Sequence, residues 1–371
     1  MIYLTVNDTP SGVYKSQVTD VLHQINLNTS QPVKLIAFIS IRNYKKNKIT
    51  IQNWYSNATV IPMIPGIKNW FRNKYILKIL SPFSRSETCI ARNVMAYAVA
   101  ASHFKNVVYD GRGAIGAELE EYPDMIPIPS IVEELKTWEK KAVLESDFRI
   151  AVSNALVDFW KVNFNYNGND HLVIPCTVNR VIKSTKNTSE VLAELEWQES
   201  DVILIYSGGV AGWQSFDKLT SILKNWISEK NIKVLFLTKS TPQIESLIET
   251  FPNAVKRRWV RPEEVSDYTA IGDYGMLIRE ENNTNRVASP VKFAEYLNAG
   301  LNVIISNHIG DFSEFVQSKQ CGHLLEELIN QNSPLIKTET KTKQKNKELA
   351  ETYFSKSAFN SSYKQILTLG K

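Results

Sequence analysis

The chain has 371 residues, more than a single hydrophobic core usually organises, so two domains are expected. With 43% apolar and 22% charged residues it reads as a water-soluble globular protein, and neither a solenoid-period repeat nor a low-complexity segment occurs. The charge is unevenly placed: no acidic residue lies between Asp20 and Glu87, while ten cations in that interval amount to twice the whole chain's net charge of +5.

The elements follow in order. A strand IYLTV (2–6) leads through NDTPSG into a helix over 13–25, and VKLIAFI (33–39) is a second, largely apolar strand. Two short strands are expected at 49–54 and 58–63, then a basic helical stretch over 66–83 and a helix over 87–104. The strand NVVYD (106–110) runs into GRGAIGAELEEY, a loop opening a helix, and a long helix covers 130–146. The strand FRIAVS (148–153), a helix over 154–163 and the strand HLVIPC (171–176) close this half. The polar stretch 177–189 suggests a boundary, giving domains 1–178 and 179–371.

The second half is more regular. Short apolar strands at 202–206, 233–238, 274–278 and 302–306 alternate with helices at 214–229, 242–250, 262–270 and 289–299. That alternation reads as a parallel sheet covered by helices. A lysine-rich helix (335–354) precedes a last one at about 355–369, whose Phe359, Tyr363, Ile366 and Leu367 share a face that could pack back on the first domain. Two Rossmann-like α/β domains would leave a cleft, with ligands at the carboxyl ends of the strands.

The stretch REENNTNRVASPVKFAEYLNAG (279–300) carries the most chemistry. Ser289 and Pro290 suit an N-cap and first helical position, Val291, Ala294 and Leu297 recur at helical spacing, and Gly300 marks the end. A helix start together with Arg279, Arg286 and Lys292 makes a phosphate site, and Glu295 is placed to take sugar hydroxyls. An amphipathic helix beside a solvated loop fits the same residues equally well.

Three blocks carry a resemblance: YSGGVAGWQ (206–214), RPEEVSDY (261–268) and NRVASPVKFAEYLNAGLNVIIS (285–306). Together they resemble the donor domain of retaining GT-B glycosyltransferases of family four, over the half of the chain from Thr177 onward. The resemblance implies a metal-independent transfer, without a cofactor, from a nucleotide-sugar donor to a glycan or lipid-linked acceptor, as in polysaccharide biosynthesis. It also implies that Glu295, matching the second glutamate of the family's paired motif, binds the ribose. The first glutamate falls on Val287, and SGGVAGWQSF lacks the family's arginine and lysine, the first cation being Lys218. Arg279, Arg286 or Lys292 would then compensate the diphosphate, with Gly208 and Gly209 letting backbone N–H groups approach it. A catalytically silent partner subunit that kept the fold also fits these departures.

In the first half, Ser11 and Gly12 would line the cleft, although a plain turn explains them as well. Asp110 could orient or deprotonate an acceptor hydroxyl and Arg112 hold a phosphate, or both could form a structural ion pair. Gly111, Gly113 and Gly116 spell the dinucleotide fingerprint, which would make the chain an oxidoreductase, but Asp110 and Arg112 crowd the turn and the strand is not the first of its domain. The five histidines have no metal-ligand spacing, no Asp-x-Asp triplet occurs, and no metal is expected. Three scattered cysteines and an opening segment without a basic n-region point to the cytoplasm. The acid-free block fits an anionic membrane face, hence peripheral attachment on its inner side, or equally a surface that keeps the protein in solution. No recognition motif supports nucleic-acid binding.

Overall fold

Two parallel sheets organise the chain. The structure, a computed structural model, describes residues 1–80, 87–179, 186–210 and 212–369. The first sheet is built from β1 (Ile2–Val6), β2 (Lys34–Ile39), β3 (Ala58–Pro62), β4 (Thr88–Arg92), β5 (Asn106–Gly111), β6 (Phe148–Ala151) and β7 (His171–Val173). Its spatial order is β3-β2-β1-β4-β5-β6-β7. The second is built from β8 (Val202–Ser207), β9 (Ile232–Leu237), β10 (Val255–Arg258), β11 (Tyr274–Leu277), β12 (Asn302–Ile305) and β13 (Gly322–Leu324), in the order β10-β9-β8-β11-β12-β13. The winding direction reverses between β1 and β4 in one sheet and between β8 and β11 in the other. In open α/β sheets, ligands bind outside the strand carboxyl ends at such a reversal.

The chain divides into two compact units, Met1–Thr177 with Lys356–Lys371, and Val178–Ser355. The last helix, Asn360–Thr368, belongs to the first unit. Tyr363 and Ile366 are buried there beside Ile25 and Ile174, the Asn360 side-chain oxygen accepts from Gln24 Nε2 at 2.8 Å, and the Leu369 carbonyl accepts from Thr88 Oγ1 at 3.2 Å. Gln17 fastens residue 177 by its side chain, donating to the Thr177 carbonyl at 2.7 Å and accepting from its N–H at 3.2 Å.

Several local expectations are corrected. Residues 49–54 belong to the helix Tyr44–Trp54, because β2 and β3 pair in parallel and need a crossover between them. Residues 88–92 form β4, buried throughout between β1 and β5, and the helix begins only at Asn93. The basic stretch is a 3-10 segment Ile67–Arg72 followed by the helix Asn73–Leu80, with residues 81–83 and Arg85 outside the described residues. Neither β10 nor β13 has an apolar alternation, and both are edge strands. The helices Thr188–Leu195, Phe312–Lys319 and Leu325–Asn330 were also not expected.

Candidate functional site

At the reversal of the second sheet, β8 runs out into Gly208, whose φ of +123° is a backbone conformation that L side chains rarely adopt. A Cβ there would lie 2.5 Å from Lys292 Cε and 3.0 Å from its Nζ. The lysine therefore lies against bare backbone. It comes from the first turn of the helix Val291–Ala299 and is buried, its Nζ donating to Gln214 Oε1 at 2.9 Å and lying 4.1 Å from the Tyr206 ring centroid. Burial first, and then the charge of Arg279, push this ammonium well below the ordinary lysine value, while Glu295 opposes the shift.

Arg279 follows β11 and is also buried. Its Nη1 donates to Asn285 Oδ1 at 3.1 Å, and its backbone N–H donates to Ser306 Oγ at 2.9 Å. Two buried cations thus stand at the carboxyl ends of adjacent strands. Among the described residues, no carboxylate comes within ion-pair distance of the Lys292 ammonium, whose hydrogen-bond acceptor is a neutral amide.

The helix carrying Lys292 is seated firmly. Tyr296 OH accepts from the Ser207 N–H at 2.9 Å and donates to the Met276 carbonyl at 3.4 Å. Its ring lies on Gly275, where a Cβ would fall 2.2 Å from Tyr296 Cγ. Ser215 Oγ accepts from the Glu280 N–H at 2.6 Å, tying the turn after β8 to the loop after β11. Gly300 ends the helix in the left-handed region, at φ +87°.

The expected N-cap is corrected. Pro290, in extended conformation, occupies the capping position, no side chain caps it, and Ser289 is buried beside it. Capping happens earlier, where Asn282 Oδ1 accepts from the Asn285 N–H at 2.9 Å and starts a short helix, Asn283–Arg286, inside what reads as loop. Arg286 is exposed and donates to Glu281 Oε1 at 2.5 Å, apart from the Lys292 and Arg279 arrangement. Glu295 is partly exposed, Val287 is buried, and Gly209 has open space around it. Gln214, Tyr206, Ser215 and Tyr296 were missed as partners. Gln214 with Lys292, Ser215 with Glu280 and Tyr296 with Ser207 pair across 78, 65 and 89 residues, and Tyr206 reaches Lys292 across a similar separation, so none of these pairings leaves a local signal.

In the first unit, the carboxyl ends of β1, β4 and β5 hold a buried charge network. Asp110 Oδ2 accepts from Tyr3 OH at 2.6 Å and lies 3.7 Å from Arg92 Nη1, while its Oδ1 lies 3.3 Å from Arg112 Nη1. Arg92 Nε reaches Asp8 Oδ2 at 3.4 Å, and Arg112 Nη2 donates to Cys176 Sγ at 3.1 Å. Burial raises the Asp8 carboxyl, and Arg92 lowers it in part. Of the two readings given for Asp110 and Arg112, the ion pair is present: Asp110 is 4% exposed and both its oxygens are engaged, one by Tyr3 and one by Arg112, which makes it the hub of an ion network. Asp8 and Arg92 were missed, lying far from Asp110 in sequence. Ser11 is a helix cap, its Oγ accepting from the Tyr14 N–H at 3.1 Å, and Gly12 is exposed beside it.

The dinucleotide fingerprint is corrected too. The Ile115 and Gly116 N–H groups donate to the Glu139 carboxylate at 2.8 and 2.7 Å, so the helix start that would hold a pyrophosphate is already filled. Gly111 is required by packing, since a Cβ would stand 2.7 Å from Trp160. A surface groove of about 370 Å³ along Glu120, Pro123, Pro127 and Glu133 contains none of the site residues. Among the described residues, no group of three or more His, Cys, Asp or Glu could hold a metal ion, and no helix is long and apolar enough to cross a membrane.

No protein-family model matches the sequence, and no curated protein matches it. Solved structures do match, over nearly the whole chain. Sucrose-phosphate synthase from Thermosynechococcus elongatus superposes with a TM-score of 0.72 at 12% identity, covering 99% of this chain and 98% of that one. Anabaena HepE in complex with UDP and glucose gives 0.69 at 13%, covering 99% and 98%. WaaG, a glycosyltransferase involved in lipopolysaccharide biosynthesis, gives 0.67 at 13%, covering 99% of both chains. At this identity the likeness establishes the fold: two parallel-sheet α/β units of the GT-B glycosyltransferase type.

Proposed function

We propose that the protein is a glycosyltransferase that takes a sugar from a nucleotide-sugar donor held at the carboxyl ends of β8 and β11. The observation that carries this reading is the pair of buried cations, Lys292 and Arg279, beside a glycine turn at the sheet's reversal. A diphosphate leaving group develops negative charge, and preorganised cations and backbone N–H groups stabilise it. A lysine held against Gly208 with a neutral acceptor gains from an arriving anion what burial cost it. Glu295, on the same helix, is the residue proposed for the ribose. The structures with UDP or UDP-glucose among the matches are in keeping with a uridine nucleotide donor. Retention of configuration, membership of family four and a glycan or lipid-linked acceptor held by the first unit belong to the same proposal.

A thermal-shift panel of UDP, GDP, ADP, CMP and dTDP tests it. A ligand at about 100 times its dissociation constant stabilises the fold by roughly 2.7 kcal/mol. No shift with any of them would remove the donor-site reading. Val287 and the engaged Asp110 favour a second reading, a subunit of the same fold without activity. Nucleotide binding with no donor turnover would select it.

A further inference from the structure

One helix of the first unit, Pro129–Glu145, separates two surfaces of opposite charge. On one flank lies the basic stretch, Ile67–Arg72 and the helix Asn73–Leu80. Trp70 Nε1 donates to Glu134 Oε2 at 3.4 Å, and the rings of Phe71 and Trp138 pack with centroids 5.1 Å apart. Trp70, Asn73 and Leu77 are buried, while Tyr75 and Ile79 stand outside, one helical turn apart and 55% and 82% exposed, in a stretch that carries Lys68, Arg72, Lys74 and Lys78.

On the other flank is the groove of about 370 Å³, where Leu119, Ile126 and Val132 give an apolar lining and Glu120, Asp124 and Glu133 supply charge. Residues 113–135 hold six acidic residues and no lysine, arginine or histidine, the reverse of the acid-free block. Lys136 Nζ reaches Glu120 Oε1 at 2.5 Å and Glu133 Oε1 at 3.1 Å, so carboxylates from two walls of the groove converge on one ammonium. A helix turns about 100° per residue, which sets Glu134 and Trp138 on one side and Val132 and Lys136 on the other. The stripe between them, Glu133, Thr137, Lys140 and Leu144, is exposed. Solvation accounts for either charge alone. It gives no reason for apolar side chains standing out among the cations on one flank and an apolar-lined acidic groove on the other.

We propose that this face is the interface of a two-fold dimer of the chain, the basic helix Asn73–Leu80 of each copy lying in the acidic groove of the other. Patches of opposite sign on either side of one exposed stripe are self-complementary under a two-fold axis through that stripe, and the axis uses both pairs at once. Tyr75 and Ile79 meet the lining of Leu119, Ile126 and Val132, and Lys74 and Lys78 meet Glu120 and Asp124. An axis at Thr137 also brings Glu133 of one copy to Lys141 of the second, each four residues from the axis. Charge complementarity sets the occupant, since one unit of this chain carries both signs. The inference stands apart from the proposed function, because neither donor nor acceptor enters its test.

The test is sedimentation equilibrium of the full chain at low and at high salt. The expected result is a monomer–dimer equilibrium that salt shifts toward monomer. Glu120→Lys/Asp124→Lys makes both flanks basic, and Lys74→Glu/Lys78→Glu gives the helix the sign of the groove, so each variant alone should dimerise on the order of tenfold more weakly or worse. Mixed in equal amounts, the two should recover association as a heterodimer, because opposite signs meet again at both grooves. None of the four side chains is buried, so both variants should unfold in urea at the wild-type midpoint. A chain that stays monomeric at low salt overturns the proposal. So do variants that dimerise like wild type, a mixture of folded variants that does not recover, or a series of larger oligomers, which a head-to-tail contact would give.

Discussion

Replacing Lys292 by methionine separates a binding cation from a structural one. In the free protein the substitution removes a buried charge whose acceptor is an amide, Gln214 Oε1 at 2.9 Å. Removing a poorly compensated buried charge is worth about 1–4 kcal/mol in favour of the fold, and leaving Gln214 without its donor costs about 1–3 kcal/mol. The two largely offset, so the net change in unfolding free energy should lie between a loss of about 2 and a gain of about 3 kcal/mol. Nucleotide binding behaves differently. A charge-assisted bond to a phosphate is worth about 1.5–3 kcal/mol, so the dissociation constant of the nucleoside diphosphate that the panel selects should rise roughly tenfold to a hundredfold. Urea unfolding of the free protein and titration calorimetry with the nucleotide read the two quantities. The pH dependence gives a third reading. Because the folded lysine titrates below its unfolded value of 10.5, the folded state binds fewer protons in that window. Stability of the wild type should therefore rise with pH up to about that value, a slope that the methionine variant lacks. Nucleotide affinity should weaken over the same window as the ammonium is lost. A stability loss of several kcal/mol with unchanged nucleotide affinity would refute the reasoning and make Lys292 a packing residue.

Gly208→Ala should cost about 1–3 kcal/mol from backbone strain at φ +123° and push Lys292 aside, weakening the nucleotide as well; unchanged affinity in calorimetry would detach the turn from the site. Asp110→Asn breaks a buried network in which Arg92 and Arg112 depend on the carboxylate, and urea unfolding should show a loss of about 3–5 kcal/mol. A loss under about 1 kcal/mol with turnover abolished would return Asp110 to a role in proton transfer. Burial raises the Glu139 carboxyl from 4.5 to about 7 against the two N–H bonds it accepts. The folded state thus holds a proton that the unfolded chain releases, and stability should fall as pH rises from about 4.5 to about 7, by at most about 3 kcal/mol. Glu139→Gln should flatten that slope in pH-dependent unfolding, and a slope that survives the substitution assigns it to another group.

What the sequence determined by itself is what neighbours along the chain decide. The apolar runs of β8, β9, β11 and β12, the helical spacing of Val291, Ala294 and Leu297, and Gly300 as a left-handed stop are local properties, and the parallel α/β class follows from their alternation. Local pattern also misled. A buried central strand such as TCIAR and a helix such as Tyr44–Trp54 are too short or too polar for periodicity to separate, and parallel pairing of β2 with β3 and of β4 with β1 and β5 decided them. The tertiary structure alone decided which charges meet. Glu139 turned the glycine fingerprint into a filled helix start, and Tyr3, Arg92 and Arg112 turned Asp110 into a structural hub. Within 279–300, composition could propose three cations for an anion, Arg279, Arg286 and Lys292. Only the sheet, by setting Gly208 and Gln214 beside Lys292 and sending Arg286 out to Glu281, separated them, because contacts between strands join residues that no local spacing connects.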